Sequence, residues 1–192
     1  MTTAFVLGNG LSRAGIDLMI LQTKGKIYGC NALYREFVPD VLVATDRPIA
    51  EAIQKTGYAN KNLFYTRHPN KDSGAQEIPR ELWSYSSGPV ALGIAAQNLH
   101  SVIYLLGFDL GPTAENKFNN IYADTDFYKT SKSVPTYTEN WIDQIVKIVH
   151  SYPNIQFCRV QGPTTADIKK FDKVQNLAHQ SLAEFLKQLN NG

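Results

Sequence analysis

The stretch Ala4-Phe5-Val6-Leu7-Gly8-Asn9-Gly10-Leu11-Ser12 constrains the fold more than any other part of this sequence. Four apolar residues run straight into Gly-Asn-Gly, the pattern of a buried strand entering a tight turn. Gly8 and Gly10 admit backbone angles closed to other residues, or let a second backbone or a phosphate come close. Ser12 stands where a serine caps a short helix and leaves free N–H groups aimed at the loop. Strand, glycine loop and helix, in that order, open the ligand sites of doubly wound α/β proteins. The loop matches neither standard phosphate loop. Arg13 takes the place of the third glycine of the dinucleotide fingerprint, and no Gly-Lys-Ser/Thr follows. A strand end with an ordinary turn explains the same residues.

The rest of the chain repeats the alternation. Leu18–Leu21 predicts a short helix or turn ending near Lys24-Gly25, and Lys26–Cys30 a short strand with Asn31 at its C-terminal end. Asn31 can read a ribose or a base edge, or cap a helix over 32–37. Val41–Ala44 is a clean buried strand, and Thr45-Asp46 follows it. Asp46 caps the helix that Pro48 opens, or serves as a metal or ribose ligand. A fourth strand over 62–65 leads into Arg67-His68, where His68 is the best placed of the four histidines for chemistry. Residues 72–85 are irregular and cross the sheet edge. Pro89, set at the first helical position, predicts a helix to about Leu99 that is apolar nearly all round and therefore buried. The free N–H groups at its start, with the Ser86 and Ser87 hydroxyls and Gly88, suit an anion.

Ser101–Leu106 is the strongest strand, and Gly107-Phe108-Asp109 ends it. Residues 110–137 have no period but are aromatic, with Tyr122 and Tyr128, and read as a lid or partner surface. Thr138 caps a helix to about His150, and 155–160 is the last strand. Leu177, Leu182, Phe185, Leu186 and Leu189 form the apolar face of a helix over 176–189, which docks on the sheet or makes a homo-oligomer contact. The whole predicts one α/β domain over 1–192, a three-layer sandwich on a mostly parallel sheet with a lid-like insertion. In such folds ligands lie outside the carboxyl ends of the strands, where Asn9, Asn31, Asp46 and Asp109 converge.

The composition narrows the function classes. Hydrophobic residues make up 43% and charged residues 19%, as in an ordinary globular protein. A net charge of +2 makes no case for nucleic acid or a membrane surface. Cys30 and Cys158 share no metal spacing and read as reduced core residues. No apolar run spans a bilayer and no secretory leader opens the chain, so a cytoplasmic protein is expected.

Val6-Leu7-Gly8-Asn9-Gly10-Leu11-Ser12, Gly29-Cys30-Asn31 with Tyr34, Ser86-Ser87-Gly88, and Ile103-Tyr104-Leu105-Leu106-Gly107-Phe108-Asp109 together resemble the bacterial sialyltransferases of the campylobacter type. The layout is also similar to the archaeal hydroxymethylpterin pyrophosphokinase-like family, and the whole chain resembles uncharacterised proteins of tailed phages. The first resemblance implies a Rossmann-like fold and a CMP-sugar donor. It implies that Asn9, Asn31, Ser87 and Gly88 hold base, ribose and phosphate, and that Tyr122 and Tyr128 meet the phosphate; Gly8, Gly10, Ser12, Ser86 and Phe108 complete the candidate nucleotide-binding set. Asp46 and Asp109 are the candidate catalytic carboxylates. A pyrophosphokinase would use them for magnesium; no metal site is otherwise expected. The sialyltransferases take a general base from a histidine after the strand that ends at Asp109, and from there to Val149 this chain has none. Three functions follow: a glycosyltransferase-like enzyme acting on a nucleotide-activated donor, a nucleotide- or metabolite-binding protein without catalysis, and an interaction protein on a recycled fold.

Overall fold

The computed structural model describes residues 2–191; Met1 and Gly192, the ends of the expected domain, lie outside them. The strands are β1 (Thr3–Leu7), β2 (Lys26–Cys30), β3 (Val41–Ala44), β4 (Phe64–Thr66), β5 (Gln76–Glu77), β6 (Val102–Leu106), β7 (Gln156–Gln161) and β8 (Leu177–Ser181). They form one sheet in the order β5-β4-β3-β2-β1-β6-β7-β8, and every neighbouring pair is parallel. The helices are α1 (Leu18–Lys24), α2 (Arg47–Lys55), α3 (Ser87–Gln97), α4 (Glu139–Ser151) and α5 (Leu182–Asn191). This is the expected Rossmann-like three-layer α/β fold. No helix among the described residues is long and apolar enough to cross a membrane.

The two faces of the sheet follow from the period-two alternation of strand side chains. On β1, Ala4 and Val6 join one core with α3 and α4, while Phe5 and Leu7 join the other with α2 and α5. Covering both faces explains why the inner strands read as continuous apolar runs. α3 is buried along nearly its whole length. A Cβ on Gly93 would stand 2.7 Å from the Leu82 side chain, so small residues let the helix pack this closely.

Strand order sets the position of everything functional. From β1 the chain builds outward to β5, then α3 carries it back to β6 on the other side of β1. The β1–β6 junction is therefore the topological switch point, where two loops leave the sheet in opposite directions and open a crevice. Leu7 pairs with Leu106, so the Gly8 and Gly107 turns leave the sheet side by side.

Several local expectations are corrected. The last strand is β8, not 155–160, and the C-terminal helix starts at Leu182 instead of 176. Leu177 faces the sheet core while Ala178 and His179 are exposed, so the parallel pairing to β7 takes over the first apolar position of the apparent helix stripe. The edge strand β5 lies inside the stretch expected to be irregular. Pro89 is the third residue of α3, not the first. Thr138 makes no cap bond; its hydroxyl donates to the Leu110 carbonyl at 3.0 Å. Ser12 lies within a 3-10 turn, Leu11–Arg13, and its cap position is Gly10.

Candidate functional site

A cavity of about 340 Å³ opens at the switch point. Its floor is the Gly8-Asn9-Gly10 loop and the Gly107-Phe108-Asp109 turn. One side is the end of β2 and β3 with the start of α3: Asn31, Thr45, Asp46 and Ser86–Pro89. The rim comes from the 111–138 segment and α4, through Phe118, Asn119, Asn120, Thr136 and Trp141. The chain thus brings Asn31, Asp46, Asp109 and the start of α3 around one crevice, as their places at strand ends predict.

The floor is tied down by internal bonds. Gly8 and Gly10 have ordinary backbone angles, since neither φ is positive. Their reason is close approach: a Cβ on Gly8 would stand 2.5 Å from the Gly107 carbonyl oxygen, and one on Gly10 would overlap the Asp109 carboxylate. Gly10 N–H donates to the Gly107 carbonyl at 2.8 Å. Asp109 is 3% exposed. Its carboxylate accepts from Ser12 N–H at 3.0 Å, from the Ser12 hydroxyl, and from the Thr164 and Thr165 hydroxyls at 2.6 and 3.4 Å. With four internal donors around it, this carboxylate anchors the loop. Arg13, which replaces the fingerprint glycine, is buried; its Nε donates to the Gly8 carbonyl at 2.7 Å and its Nη2 pairs with Glu36 at 3.1 Å.

The α3 side is different. The Ser87 hydroxyl accepts from Thr45 N–H at 3.0 Å and lies 2.9 Å from both Thr45 Oγ1 and Asn31 Oδ1. Its single proton goes to Asn31, so Thr45 donates to it and the hydroxyl has nothing left for a ligand. Of the two hydroxyls expected to assist an anion, that of Ser86 is the one with no internal hydrogen bond among the described residues. The Ser87 and Gly88 N–H groups find no protein acceptor among the described residues, and the first helical bond runs from Val90 to Ser86 at 2.9 Å. Asn31 holds φ 53°, a left-handed angle that asparagine tolerates better than most residues. Asp46 sits at the N-cap of α2, exposed, with no side-chain cap bond.

The chain matches no protein-family model, no curated protein and no solved structure.

The rim segment has neither helix nor strand, yet it is pinned to the floor. Ile121 N–H donates to the Asn9 carbonyl at 2.8 Å, and Leu11 N–H donates to Asn119 Oδ1 at 2.9 Å. Tyr122 and Tyr128 do not line the cavity, nor does Ser12. The Tyr122 hydroxyl donates to Glu36 and accepts from Arg13 at 2.9 Å, and burial drives its pKa well up. The Tyr128 hydroxyl accepts from Asn9 Nδ2 and Ala32 N–H, each at 3.3 Å. Both tyrosines fasten the rim from outside the cavity. Asn9 keeps a buried side-chain oxygen, Oδ1, with no partner. Such a group costs about 1–3 kcal/mol until a donor reaches it.

Of the thirteen residues the sequence singled out, ten line the cavity. Sequence reasoning missed Phe118, Asn119, Asn120, Thr136 and Trp141, which lie in the aperiodic segment or on a helix read as core. No histidine lines the cavity. His68 packs edge-on against exposed Trp83 instead. Cys30 lines it, but burial pushes its thiol up to about 12, so it is no nucleophile at neutral pH. Among the described residues no three His, Cys, Asp or Glu side chains gather as a metal site. A magnesium ion of the pyrophosphokinase reading would find one carboxylate, Asp46, outside the internal network.

Proposed function

We propose that this cavity binds a nucleotide-activated donor and that the chain transfers the activated group to an acceptor. The observation that carries this reading is the cavity's place: it lies on the β1–β6 switch point and reaches the start of the 11-residue helix α3. The two unpartnered amides of Ser87 and Gly88 suit one phosphate, which gains about 0.3–1 kcal/mol from the helix dipole and more when partly buried. The unpartnered oxygen of Asn9 and the amide of Asn31 suit ribose hydroxyls and a base edge. Phe108, Phe118 and Trp141 offer apolar surface to the base or sugar. Asp46 is the carboxylate free to take a proton from an acceptor hydroxyl, the role that a histidine fills in the sialyltransferases. Asp109, held by four donors, positions the loop. The unpaired, buried state of both cysteines fits a reducing, cytoplasmic setting.

One observation favours a second reading, binding without transfer: no histidine reaches the cavity. A thermal-shift screen with CMP, UMP, ADP and CMP-sugars, with and without magnesium, tests binding. Turnover of the best donor then separates the readings. Stabilisation with release of free nucleotide, lost in Asp46→Asn, supports transfer. Stabilisation without turnover supports a binding protein, and no stabilisation by any nucleotide overturns both.

A further inference from the structure

The charged side chains that line the cavity are both acidic, Asp46 and Asp109, and no lysine or arginine lines it. Such a lining repels an anion unless something behind it compensates. We propose that Arg159 and Arg67 are positioning residues for an anionic ligand. From behind the wall they turn the peptide groups at the ends of β6 and β3 so that N–H groups face inward, and their charges offset the two carboxylates. This assignment rests on the reading that the cavity takes a phosphate-bearing ligand.

Arg159, on β7, is completely buried. It makes no ion pair among the described residues. Its guanidinium donates only to carbonyls: Phe108 at 3.0 and 2.9 Å, Asp109 at 3.1 Å and Ala166 at 3.0 Å. In a trans peptide the C=O and N–H point in opposite directions. Capturing the Phe108 and Asp109 carbonyls therefore turns the Asp109 and Leu110 N–H groups away from Arg159. Asp109 and Leu110 line the cavity, Arg159 does not, and neither N–H has a protein acceptor among the described residues. Leu110 is held at φ 55°, a strained angle for a residue with a side chain. Burial lowers the guanidinium's pKa to about 10, so it stays charged at neutral pH.

Arg67 repeats the device on the other side. It donates to the Trp83 carbonyl at 2.7 Å, to Tyr85 at 2.8 Å and to Thr45 at 3.4 Å. The Thr45 contact turns the Asp46 N–H away in the same sense, and the Tyr85 contact fixes the chain just before α3. Arg13 differs, because its charge is matched by Glu36. Arg159 and Arg67 have no such partner in direct contact, so their fields extend to the cavity.

The test is calorimetric titration of wild type, Arg159→Lys and Arg67→Gln with CMP, cytidine and inorganic phosphate, with circular dichroism to establish folding. CMP affinity should fall about tenfold or more in each variant while cytidine affinity stays within about twofold. Equal losses for CMP and cytidine, or no loss for either, overturn the proposal and leave the nucleotide reading standing. If wild type binds CMP no better than cytidine, the phosphate part of that reading falls. Inorganic phosphate then decides: binding that weakens in Arg67→Gln supports the arginines' role, and unchanged or absent binding overturns it. Should Arg159→Lys fail to fold, Arg67→Gln, at a half-buried position, carries the decision alone.

Discussion

The floor and the α3 side of the cavity are built from the same materials, and their carboxylates end in opposite states. Each has a carboxylate just past a buried strand, small residues in a turn, and hydroxyls nearby. On the floor, the Asp109 carboxylate is bound by Ser12, Thr164 and Thr165, and the Gly8 carbonyl by Arg13. On the α3 side, Asp46 is exposed without a cap bond, and the Ser87 and Gly88 amides have no protein acceptor among the described residues. Internal satisfaction makes a wall rigid, and groups left over are what a ligand can use. For the two carboxylates the difference separates scaffold from site, while the floor leaves Asn9 Oδ1 and the Asp109 and Leu110 amides without a protein partner among the described residues.

Stability measurements should break the floor first. Asp109→Ala strands several buried donors and removes the carboxylate whose charge most favours the Arg159 guanidinium, so urea denaturation should show a loss of about 3 kcal/mol or more. A loss under about 1 kcal/mol would mean that the floor is not held by this carboxylate. Gly8→Ala comes next, because the added Cβ meets the Gly107 carbonyl at 2.5 Å and two backbones must part. The expected cost is about 2 kcal/mol, read as a lowered midpoint at unchanged slope.

The opposite edge of the sheet supplies a control. His100 is 8% exposed; its Nε2 lies 2.8 Å from the Tyr28 hydroxyl and its Nδ1 has no partner. Burial, reinforced by the Lys26 charge, lowers its pKa below 6.5. A folded-state pKa below the unfolded value means that the unfolded chain binds the proton more readily. Stability from this group is therefore complete above pH 6.5 and is lost as pH falls below it toward the folded-state pKa. His100→Gln should flatten that part of the stability curve, and an unchanged slope would assign it elsewhere. The smallest stability effect belongs to Asp46→Asn. It should shift stability by less than about 0.5 kcal/mol, yet lower donor turnover about 100-fold or more if Asp46 is the base.

How much of this could be read from the sequence depends on how local its cause is. β1, β2, β3 and β6 announce themselves because both faces are buried and the apolar runs are continuous. β8 does not: Leu177-Ala178-His179-Gln180-Ser181 contains one core residue, and its strand state comes from pairing with β7. The convergence of Asn31, Asp46 and Asp109 was legible because strand ends in a parallel sheet share one edge. Which carboxylate stays free was not, because the donors that surround Asp109 lie at Ser12, Thr164 and Thr165, over fifty residues from it in sequence. Nor does any pattern mark Arg159, a charged residue inside a buried strand whose hydrogen bonds all go to carbonyls.

The proposed function requires the α3 side to hold the ligand's phosphate. The direct measurement is an amide chemical-shift titration of the ¹⁵N-labelled protein with CMP and, separately, with cytidine. The Ser87 and Gly88 amides should show the largest shifts with CMP and move little with cytidine. Equal responses to both ligands, or CMP shifts that leave Ser87 and Gly88 in place, would contradict it.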